Sequence, residues 1–196
     1  MESLLSVQPK PKKADNILIH KPEKEPMLHC TEIEVDGELC RYHLDGRVFY
    51  IDHDYRDSLK NTMDFENDTE KDRPYLVLWY DPWTMVLVPF RSKCSPEWKT
   101  SLIYNSRSKD RSGRYPGLDF SKMLFVSNDE LSGILTSKAV EMPDYVMNMH
   151  DLAEDKIDET LELYQQAKKK ADAGEELSGT EKYLLEQSTL ANYDIV

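Results

Sequence analysis

Two Asp-Gly pairs constrain this chain more than any other feature. Asp36-Gly37 and Asp45-Gly46 each lie between β-prone runs. Asp-Gly is the favoured centre of a type I′ hairpin turn, because both central residues must take positive φ. The spacing predicts a three-stranded meander over 30–35, 38–44 and 47–52. Two-residue turns fix the register: Val35 faces Glu38, Ile33 faces Cys40 and Cys30 faces His43. One face then carries Ile33, Val35, Cys40, Phe49 and Ile51, and the other Glu32, Glu34, Arg41, His43 and Tyr50. His29, Cys30, Cys40 and His43 have the chemistry of zinc ligands. The register puts Cys30 and Cys40 on opposite faces, which makes four ligands converging on one tetrahedral ion hard to arrange, and one core and one edge cysteine are the preferred reading. No metal and no other cofactor is expected.

Two further segments, YLVLWY at 75–80 and TMVLVPF at 84–90, are apolar on most positions and joined by Asp81-Pro82-Trp83. They read as central strands of a compact barrel or sheet. LDFSKMLFVS at 118–127 reads as another strand, followed by a short helix to about Leu135. A short helix is also expected near 54–60. Leu152, Ile157, Leu161, Tyr164, Ala167 and Ala171 recur at helical spacing and predict a helix over 151–173, with Gly174 as its stop. Ser178 and Glu181 form a capping-box pattern opening a last helix to about Leu190. The expected organisation is a leader over 1–26, an α+β core over 27–150 and a helical extension over 151–196.

The formal charge is −12, yet it is unevenly spread. Residues 1–71 are net −6, 72–122 net +4 and 123–196 net −10. A basic island therefore sits inside an acidic chain, and phosphate binding depends on local Lys and Arg. The island's 91–117 stretch is a long, basic, Ser-rich connection, and connections of this kind are more often functional or disordered than idle. No apolar run is long enough to span a bilayer, the first residues carry no secretory-signal pattern, and three scattered cysteines suit a reducing compartment. A cytoplasmic protein is expected.

Familiar catalytic signatures are missing: no G-x-S-x-G elbow, no Walker loop, no G-x-G-x-x-G, no H-E-x-x-H. What remains is a set of cationic and hydroxyl side chains at strand ends or starts: Arg73 before 75–80, Arg91-Ser92-Lys93 after 84–90, and Ser121-Lys122 near the start of 118–127. A guanidinium, a hydroxyl and an ammonium in one short stretch are able to grip a phosphodiester and oppose the charge of its transition state.

The order of these motifs resembles the type III toxin–antitoxin endoribonucleases, the ToxN, AbiQ, CptN and TenpN group. FYID-x-x-Y at 49–55 resembles the group's first strand and turn, Arg-Pro-Tyr at 73–75 its second strand, and Val-Pro-Phe-Arg-Ser-Lys at 88–93 its strand ending in hydroxyl and basic residues. Gly-Leu-Asp-Phe-Ser-Lys at 117–122 resembles a later strand of distant members. Arg91 departs from the group's usual Ser or Thr, and Cys94 from its usual basic residue. The resemblance implies an SH3-like antiparallel β-barrel with peripheral helices. It also implies metal-independent cleavage of target mRNA to 2′,3′-cyclic phosphate ends, and neutralisation by a structured antitoxin RNA made from repeats.

On that basis Arg91 and Ser92 position the scissile phosphate, Lys93 or Lys122 neutralises developing charge, and Tyr50, His53 or Tyr55 handles protons. RNA contacts are expected from Arg73, Trp98, Lys99, Arg107, Lys109, Arg111 and Arg114, with bases stacking on Tyr75, Tyr80, Trp83 or Trp98. Two other classes stay open: a non-catalytic RNA-binding module, and an acidic domain that engages a protein.

Overall fold

The structure, a computed structural model, describes residues 18–19, 31–35, 38–42, 46–59, 73–81, 83–141 and 149–195. The strands are β1 (Leu18–Ile19), β2 (Thr31–Val35), β3 (Glu38–Tyr42), β4 (Val48–Ile51), β5 (Pro74–Asp81), β6 (Thr84–Cys94), β7 (Ser101–Ile103), β8 (Tyr115–Asp119), β9 (Leu124–Ser127), β10 (Leu135–Val140) and β11 (Asp194–Ile195). The helices are α1 (His53–Ser58), α2 (Asn128–Ile134), α3 (His150–Asp172) and α4 (Gly179–Gln187). Short 3-10 turns occupy Phe120–Lys122 and Thr189–Asn192.

The main sheet is antiparallel in the order β10-β4-β5-β6-β8-β7, with β9 also paired to β6. Among the described residues no ladder joins β10 to β7, so the α+β class holds but the expected closed barrel does not. Both faces of this open sheet are covered instead. On β5 and β6, Leu76, Leu78, Tyr80, Val86, Val88 and Phe90 pack with Ala153, Ile157, Leu161 and Tyr164 of α3 and Leu184 of α4. Their alternates Tyr75, Val77, Met85 and Leu87 pack with Tyr55 of α1, Leu131 and Ile134 of α2 and Leu135. Burial on both faces is why these two strands read as unbroken apolar runs rather than alternating ones.

The predicted β2–β3 hairpin is present in the expected register, with Val35 opposite Glu38 and Ile33 opposite Cys40. Cys30, His43 and the Asp36-Gly37 turn lie outside the described residues. The third meander strand departs from expectation. β4 is flanked by β5 on one edge and β10 on the other, which leaves no edge for β3. Gly46 does take the positive φ an Asp-Gly turn needs (74°), and its N–H donates to Val77 O at 2.8 Å, extending the β4–β5 ladder.

The single strand expected over 118–127 is two strands. Asp119 Oδ1 accepts from both Ser121 N (3.1 Å) and Ser121 Oγ (2.6 Å). A short side chain capturing the backbone two residues on turns the chain, here into the 120–122 turn. β8 and β9 then line the same edge of β6 in succession.

The helix α3 buries Ala153, Ile157, Thr160, Leu161, Tyr164 and Ala167, an apolar stripe at helical spacing. Leu152, expected in that stripe, is 55% exposed and Ala153 takes its place; Ala171 is also exposed. The helix stops as expected. Gly174 has φ 71°, Glu175 N donates to Lys170 O and Gly174 N to Ala171 O, the paired bonds of a Schellman motif. The Ser178–Glu181 capping box is complete. The C-terminal residues close over the sheet: Thr189 Oγ1 donates to Met123 O (2.6 Å), and Phe125 N donates to Tyr193 Oη (3.1 Å). Among the described residues, no helix is long and apolar enough to cross a membrane.

Candidate nucleic-acid interface

β6 is the longest strand, and its second half leaves the core. Through Phe90 it is buried; Arg91 is half-buried, while Ser92 and Lys93 are exposed. The register against β8 shifts here: Arg91 is opposite Gly117 but Cys94 is opposite Tyr115. Three steps on β6 match two on β8, so one extra residue bulges out of β6 at Ser92-Lys93. A bulge re-aims side chains at the rim of a sheet. Cys94 then turns back inward, fully buried. Gly117 allows this close approach, since a Cβ there would meet Leu102 O at 2.7 Å and Cys94 Sγ at 3.1 Å.

Arg91 is fixed from two sides. Its Nη1 donates to Asp119 Oδ2 at 2.5 Å, and its Cζ lies 5.2 Å from the centre of the Trp98 ring. Arg114 joins the same ring, Cζ at 4.6 Å. The half-buried Trp98 therefore carries two guanidiniums, an electrostatic attraction to its π face. Lys109 lies 5.7 Å from the Tyr115 ring.

The basic loop between β7 and β8 is folded around Asp110. Its Oδ1 accepts from Ser112 N (2.9 Å), Ser112 Oγ (2.8 Å) and Arg114 N (2.8 Å). Asp110 N also donates to Arg114 O, and Gly113 supplies the positive φ of 81° that the turn requires. The Arg114 and Ser112 donors, with Lys93 adding its charge, hold the Asp110 carboxyl below its usual range. The loop's one acid is thus engaged with the loop's own backbone. Among the described residues Lys93, Lys99, Arg107, Lys109, Arg111 and Arg114 form no ion pair. Lys99, exposed, borders an open groove of about 290 Å³ against Lys156, Glu159, Glu162, Leu163 and Gln166 of α3.

The expected catalytic set divides. Arg91, Ser92 and Lys93 come together with Trp98 and Arg114. Tyr50, half-buried and opposite Pro74, lies at the same end of the sheet, two strands or roughly 10 Å from β6. Arg73 directly precedes β5 at that end. Lys122 does not join them. It is 3% exposed, and its Nζ donates to Gln187 O at 2.7 Å, so it ties the 120–122 turn to the end of α4. Tyr55 is also withdrawn, buried among Leu131, Ile134 and Leu135 with its hydroxyl unpartnered, and burial pushes its ionisation well above the usual range. His53 is exposed on α1 with Nδ1 3.1 Å from Arg56 Nη2. Of the proposed base platforms, Tyr75 and Tyr80 are core residues. Trp83 is 78% exposed but belongs to the β5–β6 turn, at the far end of the sheet from Ser92.

Two residues that organise the site escaped the sequence reading: Asp119 and Asp110. Both had a signal, an Asp followed two positions later by Ser, the pattern of a side chain that caps its own backbone.

No family model, no characterised protein and no solved structure matches this chain.

Proposed function

We propose that this chain acts on RNA, as a metal-independent endoribonuclease of the type III toxin kind. The observation that carries the reading is the β6 bulge. It exposes a hydroxyl and an ammonium, Ser92 and Lys93, in a basic stretch where Arg91 is paired with Asp119 but Lys99, Arg107, Lys109, Arg111 and Arg114 form no ion pair among the described residues. In the reaction the 2′-hydroxyl of one nucleotide attacks the adjacent phosphorus and the bond to the 5′-oxygen breaks, leaving a 2′,3′-cyclic phosphate and a 5′-hydroxyl. Ser92 Oγ and Lys93 Nζ would donate to the non-bridging oxygens as charge builds on them. Arg91 and Arg114 would hold the flanking backbone. Tyr50 and His53 are the remaining candidates for taking the 2′ proton and supplying one to the 5′-oxygen. The barrel of that group would correspond to β4, β5, β6, β8 and β9. A structured RNA covering the same cations would be the natural inhibitor.

The burial of Lys122 and Tyr55 favours a second reading, an RNA-binding module that does not cleave. The test is incubation of RNA with the purified chain in EDTA. Cleavage to 2′,3′-cyclic ends, lost in Ser92→Ala, and growth arrest on expression that the same variant relieves, are the expected results. RNA that is bound but left intact supports the module, and a chain that does not bind RNA removes both readings.

A further inference from the structure

The aromatic at the centre of this surface is not arranged as a platform for a base. Trp98 is half-buried, and two guanidinium carbons lie 5.2 and 4.6 Å from its ring centre. One of them, on Arg91, is anchored through Nη1 to Asp119, which is 2% exposed and also bonded to Ser121. The other, on Arg114, follows a loop whose backbone Asp110 fixes. The protein thus fixes two guanidiniums on one indole, Arg91 through its ion pair with a buried carboxylate and Arg114 through a pinned loop. Asp119 offsets the charge of Arg91, so the cation left uncompensated against the ring is Arg114, and it becomes useful when an acceptor-rich anion meets its fork.

We infer that Trp98 is a positioning residue: beside the Arg91–Asp119 pair on the same ring, it holds the Arg114 guanidinium as a preformed grip on the phosphodiester backbone, so that this part of the surface grips RNA without reading its bases. The inference rests on the RNA reading above and adds to it the part of the polymer that is recognised. A guanidinium lying against a ring keeps its N–H edge turned outward, where it forms paired bonds to phosphate oxygens. An ammonium lacks both the plane and the fork, so Arg114→Lys should fail despite its equal charge.

The test compares binding of three non-cleavable probes of equal length: 2′-O-methyl oligoadenylate, 2′-O-methyl oligouridylate and an abasic tetrahydrofuran phosphate chain. Trp98→Ala is expected to weaken all three by the same factor, about five- to tenfold. Trp98→Phe should restore most of the affinity, Arg114→Lys should behave like Trp98→Ala, and melting temperatures should show that each variant is folded. A loss concentrated on oligoadenylate, with the abasic chain bound equally by wild type and Trp98→Ala, makes Trp98 a base platform and overturns the inference while leaving the RNA reading standing. Wild-type protein that binds none of the probes and no RNA overturns both.

Discussion

Arg91 and Asp119 meet diagonally across the β6–β8 ladder: Arg91 pairs with Gly117, and its guanidinium reaches the carboxylate two residues further on. Asp119 is buried and Arg91 nearly so on its side chain. Removing one partner of a buried ion pair strands the other charge, at a cost of roughly 3–5 kcal/mol. Asp119→Ala should therefore lower the unfolding free energy by that much, read as a lower midpoint of chemical denaturation at an unchanged m-value. A loss below about 1 kcal/mol would mean that the pair is solvated and contributes little.

Ser92→Ala and Lys93→Ala separate chemistry from folding, as substitutions at Arg91 do not. Both side chains are exposed on the bulge, so stability should move by less than about 0.5 kcal/mol. If they stabilise the transition state, RNA cleavage in single-turnover assays should fall roughly 10²- to 10³-fold for each. Unchanged cleavage rates would move the catalytic groups off β6.

Lys122→Ala should give the opposite pattern. Its ammonium donates to Gln187 O from within the fold, and hydrogen bonds to charged groups contribute about 1.5–3 kcal/mol. Thermal unfolding should report that loss, and cleavage per folded molecule should stay as in wild type. A folded, inactive Lys122→Ala would restore Lys122 to the chemistry.

The salt dependence of binding counts phosphate contacts. For single-stranded RNA each contact contributes about −0.7 to the slope of log K against log salt. Arg107, Lys109 and Arg111 are exposed and form no ion pair among the described residues. Their joint replacement by Glu should weaken binding and flatten the slope. Because Asp110, Ser112 and Gly113 set the loop's backbone, the melting temperature should hold. An unchanged slope would place the RNA on another surface.

Away from the basic loop in sequence, acid should loosen the corner between α3 and α4. Lys170 Nζ hydrogen-bonds Glu181 at 2.6 Å, and with the Ser178 N–H it holds Glu181 down at about 2 against an ordinary 4.5. A depressed carboxyl stabilises the fold above its unfolded value and stops doing so as pH falls towards its folded one. The contribution should be complete above pH 4.5 and fade between there and about 2. An NMR titration of Glu181 checks it: Lys170→Ala should bring the midpoint up, and a wild-type midpoint near 4.5 would refute the pairing.

Much of this fold is legible in the residues because local rules and burial agree. The 75–80 and 84–90 strands, the Gly174 stop and the Ser178 cap each follow from one short pattern. The unbroken 118–127 strand fails for a local reason, the Asp119–Ser121 turn, but the closed barrel and the β3–β4 pairing fail for another. Which edge of a strand is occupied depends on segments far away in sequence, here β10 and β8, and no local propensity encodes that. The candidate site was legible as to its cations but not as to their arrangement. Lys122 and Ser121 look like surface residues in sequence, yet the turn that Asp119 makes carries Lys122 beneath the end of α4.

β6 runs without a break from the middle of the core to the exposed bulge. The cations at its tip therefore stand on the same beam as Val86 and Val88, with no hinge between. Such a surface does not reshape itself around a visitor. If RNA is that visitor, it must do the bending, which would favour a pliable, unpaired strand over a stiff duplex and would make the shape of this ledge the template on which the strand is set.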